Sequence, residues 1–170
     1  MSLEIVPYTS SFATSFKNLN LEWINTYFQV EPKDVEVLEN CEEAIINQGG
    51  HIFLAKYGGQ IAGCFAFIPF DKDSYELGKM AVAPNFRGKK IGQALLTFAI
   101  NFAKENQWSN IVLYSNTKLN NALHIYRKNG FIEIPMEPET VYKRSNIKMI
   151  LDLNAQTDSL ETNTIIKKTL

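Results

Sequence analysis

The order of apolar and polar positions divides the chain into alternating and helix-like runs. Leu3 to Tyr8 reads as a first strand ending at Pro7-Tyr8. Phe12, Phe16, Leu19, Trp23 and Tyr27 then recur at helical spacing, an apolar stripe that predicts a helix with Trp23 on its buried face. Glu31-Pro32-Lys33-Asp34 interrupts it, and a second helix containing Val35, Leu38, Ile45 and Ile46 runs to Gly49-Gly50. His51 to Tyr57 and Gln60 to Phe70 predict two strands joined by Gly58-Gly59, a compact hairpin signal. Asp71 to Ser74 turns the chain into a further strand, Tyr75 to Val82.

Past Pro84-Asn85, the apolar positions Ile91, Leu95, Phe98, Ala99 and Phe102 return to helical spacing. Ile111 to Ser115 is a short strand. Leu119, Leu123 and Tyr126 share a helix face that Arg127-Lys128 and Asn129-Gly130 close, and Phe131 to Ile134 is another short strand. Ile147, Met149, Leu151 and Leu153 alternate with mostly polar neighbours, a last strand that reads as an edge with backbone groups open to a partner or a second copy. The order is β-α-α-β-β-β-α-β-α-β-β. No repeat interrupts it, so 1–153 is expected to form a single domain, and the polar stretch 154–170 a mobile tail.

Composition narrows the classes. A chain of 170 residues can bury a core without disulfides or metals. A net charge of −1 gives no global surface for nucleic acid or anionic membrane. Cys41 and Cys64 lack metal-ligand spacing and fit free thiols in a reducing compartment, and His51 and His124 read as structural. The N-terminus has neither a basic region nor a long apolar segment, so the cytoplasm is the expected location.

The positive charge is local, in Arg87-Gly88-Lys89-Lys90-Ile91-Gly92, between a strand and an amphipathic helix. A helix N-terminus offers unpaired N–H groups and partial positive charge, which suits a diphosphate. Gly88 and Gly92 give clearance, and Arg87, Lys89 and Lys90 add full charges. The spacing is neither that of a dinucleotide fingerprint nor that of a P-loop.

The stretch Glu76 to Leu96 resembles the acyl-CoA-binding motif of the GNAT family of N-acetyltransferases, whose Arg/Gln-x-x-Gly-x-Gly/Ala core maps onto Arg87 to Gly92, with Lys90 where a glycine is common. A second stretch, Ala122-Leu-His-Ile-Tyr126-Arg-Lys-Asn-Gly130-Phe131, resembles the family's Ala-x-x-x-Tyr-x-x-x-Gly-Phe signature. The resemblance implies the acyl-CoA N-acyltransferase fold, an α/β (α+β) arrangement with a mixed, mostly antiparallel sheet and helices on both faces. It implies acetyl-CoA as cosubstrate, no metal, and direct acetyl transfer to a primary amine of a small molecule or peptide, and it is compatible with a homodimer.

The same resemblance implies site residues. Arg87, Gly88, Lys89, Lys90, Ile91 and Gly92 would hold the diphosphate. Met80, Ala81 and Val82 would bond pantetheine where two strands splay apart, with a main-chain N–H at or near Met80 as oxyanion donor. Asn116 and Asn121 would flank the other strand, although Leu119 stands where the family often has an asparagine. Tyr126 would protonate the departing thiolate and Glu76 would act as general base. The region covering the acceptor groove in the family supplies Trp23, Tyr27, Phe28, Glu31 and Asp34 here, aromatic rings beside carboxylates that suit a cationic amine. A non-catalytic acyl-CoA-binding or sensing module of the same fold is the alternative; it would keep the basic loop and tolerate loss of Tyr126 and Glu76.

Overall fold

The structure, a computed structural model, describes residues 2–154; the expected tail, apart from Asn154, lies outside the described residues. The strands are β1 (Leu3–Pro7), β2 (His51–Tyr57), β3 (Gln60–Asp71), β4 (Ser74–Val82), β5 (Asn110–Ser115), β6 (Ile132–Ile134) and β7 (Ile147–Asp152). The helices are α1 (Ala13–Tyr27), α2 (Pro32–Glu39), α3 (Ile91–Glu105) and α4 (Asn120–Lys128). One mixed sheet runs in the order β1-β2-β3-β4-β5-β7-β6, antiparallel except where β4 meets β5.

Alternation along the central strands builds two cores. Phe53, Phe65, Phe67 and Leu77 pack with Leu95, Leu96 and Ala99 of α3 and Leu123 of α4 on one face. Ile52, Leu54, Cys64 and Ala66 pack with Phe16 and Ile24 of α1 and Val37 and Leu38 of α2 on the other. The β2–β3 hairpin turns through Gly58 and Gly59 at φ 58° and 80°, a pair of left-handed residues that glycine adopts without a Cβ penalty.

Three sequence expectations change. The last strand is not an edge: β7 lies between β5 and β6, so its backbone is paired on both sides and the described sheet ends at β1 and β6. The helix expected across Val35 to Ile46 breaks at Asn40 (φ −128°, ψ 43°), leaving α2 and a separate π-helical turn, Glu42–Ile46. Along α1 the fully buried positions are Phe16, Asn20 and Ile24, whereas Trp23 is only partly buried, so the stripe is rotated by about one position from the expected face.

Two features of β4 matter for the site. From Gly78 to Ala81 the strand advances three residues while its partner moves only from Ala66 to Cys64, a bulge with Lys79 at φ 51°. The bulge inverts the alternation: Tyr75 and Leu77 face the α3 core before it, and Met80 and Val82 face that core after it. Pairing of β4 with β5 extends only over Ser74↔Asn110, Tyr75↔Ile111 and Glu76↔Val112; beyond Glu76 the strands part.

Candidate active site

A cavity of about 1170 Å³ opens where β4 and β5 diverge. Backbone groups from Leu77 to Val82 on that edge have no partner strand in β5, and such groups demand hydrogen bonds from elsewhere. One end of the cavity reaches Val82, Arg87 and Gly92 at the start of α3, beside Ala122 and Tyr126 of α4. The first bond of α3 runs from the Ala94 N–H to the Lys90 carbonyl at 3.1 Å, so the N–H groups of Ile91, Gly92 and Gln93 precede the helical ladder. Gly88 takes φ +80° in open space, and a Cβ on Gly92 would point toward Val82 on the cavity wall, at 4.0 Å. Lys90 adopts the left-handed φ 61° as N-cap, so the loop keeps a glycine-like backbone there without glycine.

The charges of this loop are distributed unequally. Lys89 and Lys90 are exposed. Arg87 is engaged within the protein: its Nε donates to the Val82 carbonyl at 3.1 Å, its Nη2 to Glu22 Oε2 at 2.6 Å, and its guanidinium lies 5.6 Å from the Tyr27 ring centre. Arg87 therefore ties the loop to α1 while still lining the cavity.

Glu76 and Tyr126 both line this cavity, and neither side chain hydrogen-bonds to any described residue. Burial raises the Glu76 carboxyl above the usual carboxylate range, and the nearby Glu137 adds to this while Lys79 and Lys148 oppose it. Burial pushes the Tyr126 phenol up to about 12, so it stays protonated at neutral pH. Asn20 is 2% exposed and also lines the cavity; its amide donates to the Phe16 carbonyl at 2.9 Å and to Cys64 Sγ at 3.4 Å.

Trp23, Tyr27 and Phe28 line the cavity, Trp23 lying 5.4 Å and 5.9 Å from the other two rings. Glu31 and Asp34 do not. The Glu31 carboxylate accepts the Lys143 N–H at 2.9 Å and Arg144 Nη1 at 3.3 Å. Asp34, wholly buried, accepts Arg144 Nη1 and Nη2 at 2.7 Å each, the Glu31 N–H at 2.9 Å and Lys79 Nζ at 3.5 Å. Burial alone would raise its pKa; Arg144, the Glu31 N–H and Lys79 together hold it below the usual carboxylate range. Asn116 reaches the cavity but its amide is committed to the Arg144 carbonyl at 2.7 Å and the Lys118 N–H at 2.8 Å. Asn121 is exposed on α4 and lies off the cavity wall.

Lys79, Tyr142 and Arg144 also line the cavity and were not singled out from the sequence. Lys79 Nζ donates to the Tyr142 hydroxyl oxygen at 2.9 Å, and Arg144 stacks 4.4 Å from the Tyr142 ring centre. The polar segment between β6 and β7 carries no periodicity, and its basic residues gave no signal beyond the ordinary surface one. Among the described residues no group of three or more His, Cys, Asp or Glu side chains is placed to hold a metal ion. No helix among them is long and apolar enough to cross a membrane.

A mixed sheet that parts between two parallel strands, with a helix N-terminus facing the opening, defines the acyl-CoA N-acyltransferase class of fold. The acetyltransferase (GNAT) domain profile matches residues 48–133, and the chain belongs to that family. A GNAT-family acetyltransferase of Staphylococcus aureus Mu50 superposes with a TM-score of 0.78 at 27% identity, covering 89% of this chain and 99% of that one. The PaiA N-acetyltransferase of Thermoplasma acidophilum, solved in complex with coenzyme A, shares the fold at TM-score 0.71 and 18% identity, covering 89% and 99% of the two chains. N-acetyltransferase family 8 member 2 of Rattus norvegicus is 25% identical over 99 residues, 55% of this chain and 44% of the relative. The chain spans less than half the length of the first curated relatives it matches.

Proposed function

We propose that the protein transfers an acetyl group from acetyl-CoA directly to a primary amine of a small molecule or peptide. The observation that carries this reading is the parting of β4 and β5 at the N-terminus of α3, in one cavity with a carboxyl and a phenol that have no described hydrogen-bond partner. These features fit the cosubstrate: free strand amides suit pantetheine, and the Ile91 and Gly92 N–H groups with Lys89 and Lys90 suit a diphosphate. Bound acetyl-CoA supplies a thioester carbonyl open to nucleophilic attack.

The protein's residues then divide the work. Glu76, with its raised proton affinity, takes the proton that the ammonium must lose before its nitrogen can attack. A backbone N–H at or near Met80 holds the developing oxyanion. Tyr126 donates its phenolic proton to the sulfur as the carbon–sulfur bond breaks. An amine acceptor is supported by charge: Lys33, Arg87 and Arg144 on the cavity wall each have a carboxylate partner, whereas Glu43 and Glu139 line it with no ion pair. Trp23 adds a face for cation–π contact.

Calorimetric titration of acetyl-CoA and free CoA into wild type and an Arg87→Ala/Lys89→Ala variant, with thiol release followed over an amine panel, tests this. Saturable binding weakened by the substitutions, with amine-dependent release, is expected. Binding without release under any amine would instead support the sensing module, and no binding at all would remove the cofactor reading.

A further inference from the structure

The bulge in β4 places Glu76 and Lys79 on the same face of the strand. Without the extra residue, positions three apart on a strand face opposite sides; the left-handed turn at Lys79 restores it to the face that carries Glu76 and α2. The Lys79 side chain is 6% exposed, with its ammonium on the Tyr142 hydroxyl oxygen at 2.9 Å and on Asp34 Oδ1 at 3.5 Å.

The other charges around Glu76 largely cancel. Glu137, from the β6–β7 segment, forms an ion pair with Lys148 of β7, and the Tyr114 hydroxyl of β5 also donates to Glu137. Tyr142 faces the same region as a neutral phenol whose proton affinity burial raises further. Asp34 is taken by two short bonds from Arg144, with Lys79 held at the longer distance. Burial lowers the proton affinity of Lys79 while Asp34 and Glu76 support its ammonium, and that ammonium in turn opposes the effect of burial on Glu76, a carboxyl with no hydrogen-bond donor of its own among the described residues.

We propose that Lys79 is a positioning residue for proton removal from the acceptor: its ammonium is the counter-charge that keeps the Glu76 carboxylate ionised inside the cavity, and its hydrogen bond fixes the Tyr142 hydroxyl at the same end. The proposal rests on the reading of Glu76 as general base. Lys79 exchanges no proton with substrate. It makes the ionised base available at a lower pH than burial alone would permit.

The test follows the side-chain carboxyl of Glu76 by NMR in protein carrying isotope-labelled glutamate, its resonance assigned by its absence in Glu76→Gln. Lys79→Met is expected to raise the Glu76 titration midpoint by about one pH unit, the usual effect of removing a neighbouring opposite charge. Lys79→Arg retains the charge and is expected to hold the midpoint near wild type. Tyr142→Phe removes the hydrogen bond but not the ammonium, and is also expected to leave the midpoint in place. With an amine found in the panel, the acidic limb of the Lys79→Met rate profile should move upward with the NMR midpoint, and its rate should recover at higher pH.

Melting curves establish that each variant is folded; Arg144 and the Glu31 N–H still satisfy Asp34 when Lys79 is gone. An unchanged midpoint in folded Lys79→Met overturns the proposal. So does a rise in Tyr142→Phe as large as in Lys79→Met. The base reading is judged separately: a full rate in Glu76→Gln would overturn it, whereas the midpoints report on Lys79 alone.

Discussion

Asp34 and Arg144, separated by 110 positions, meet as a bidentate pair with both bonds at 2.7 Å, and this pair fastens the segment between β6 and β7 to α2. Asp34 also accepts the Glu31 N–H, closing the first turn of α2, so one carboxylate serves a helix start and a long-range contact. Asp34→Asn leaves Arg144 and Lys79 without their shared counter-charge and should destabilise by about 3–5 kcal/mol, as for a buried pair broken from one side. Arg144→Met should cost less, because Asp34 keeps Lys79 and the Glu31 N–H. Urea denaturation of both single variants and the double variant should show a double-variant loss smaller than the sum.

Glu76→Gln separates function from stability. A partly buried carboxyl with raised proton affinity is held in the native state against its preference for water, so above the ordinary carboxylate range it lowers stability. The variant should raise Tm at neutral pH, at ~2–4 °C per kcal/mol recovered in a domain of this size. The same change should reduce amine acetylation by about 10²- to 10⁴-fold. Calorimetry with the thiol-release assay reads both, and a rate unchanged by the substitution would remove Glu76 from the mechanism.

Tyr126→Phe tests the opposite end of the reaction. The hydroxyl bonds to no described residue, so its loss should leave stability within about 0.5 kcal/mol. Acetyl-CoA affinity should hold while turnover falls by about 10²-fold, the lower part of the range because a thiolate departs with little help. With the phenol at about 12, wild type should show no loss of rate from Tyr126 ionisation at mildly alkaline pH.

What was legible in the chain was local. The β2–β3 hairpin was readable because Gly58 and Gly59 both need left-handed backbone, and α3 because its apolar positions are regular from Ile91 onward. The basic loop before α3 was readable as a candidate anion site because backbone donors, glycine and cations lie within a few residues of one another. The break at Asn40 was not: Val35, Leu38 and Ile45 fit one helix on paper, and the π-helical turn appears only when Ile45 packs into the core beside β2. The strand order was not, because β7 enters between β5 and β6 through pairings that no alternation pattern encodes. Nor was the role of Arg144 or Lys79, since each depends on Asp34, a residue that the family resemblance pointed toward an acceptor amine rather than toward partners 45 and 110 positions away.

His51 provides a pH test of the fold that is independent of the site. Its ring sits among Phe102, Trp108 and Tyr75, with centres at 5.0, 5.8 and 6.1 Å, and burial there lowers its proton affinity from the ordinary 6.5. As pH falls through 6.5, the unfolded chain takes up a proton that native His51 resists, so stability declines until the native imidazole also titrates. Glu76 has the opposite sign, because its native carboxyl binds a proton more readily than the unfolded one and acid relieves its cost. Comparing His51→Gln with wild type cancels the Glu76 contribution. The wild-type Tm should fall more than the variant's between pH 7.5 and pH 5.5, and parallel losses in the two proteins would mean that the aromatic surround does not hold His51 neutral.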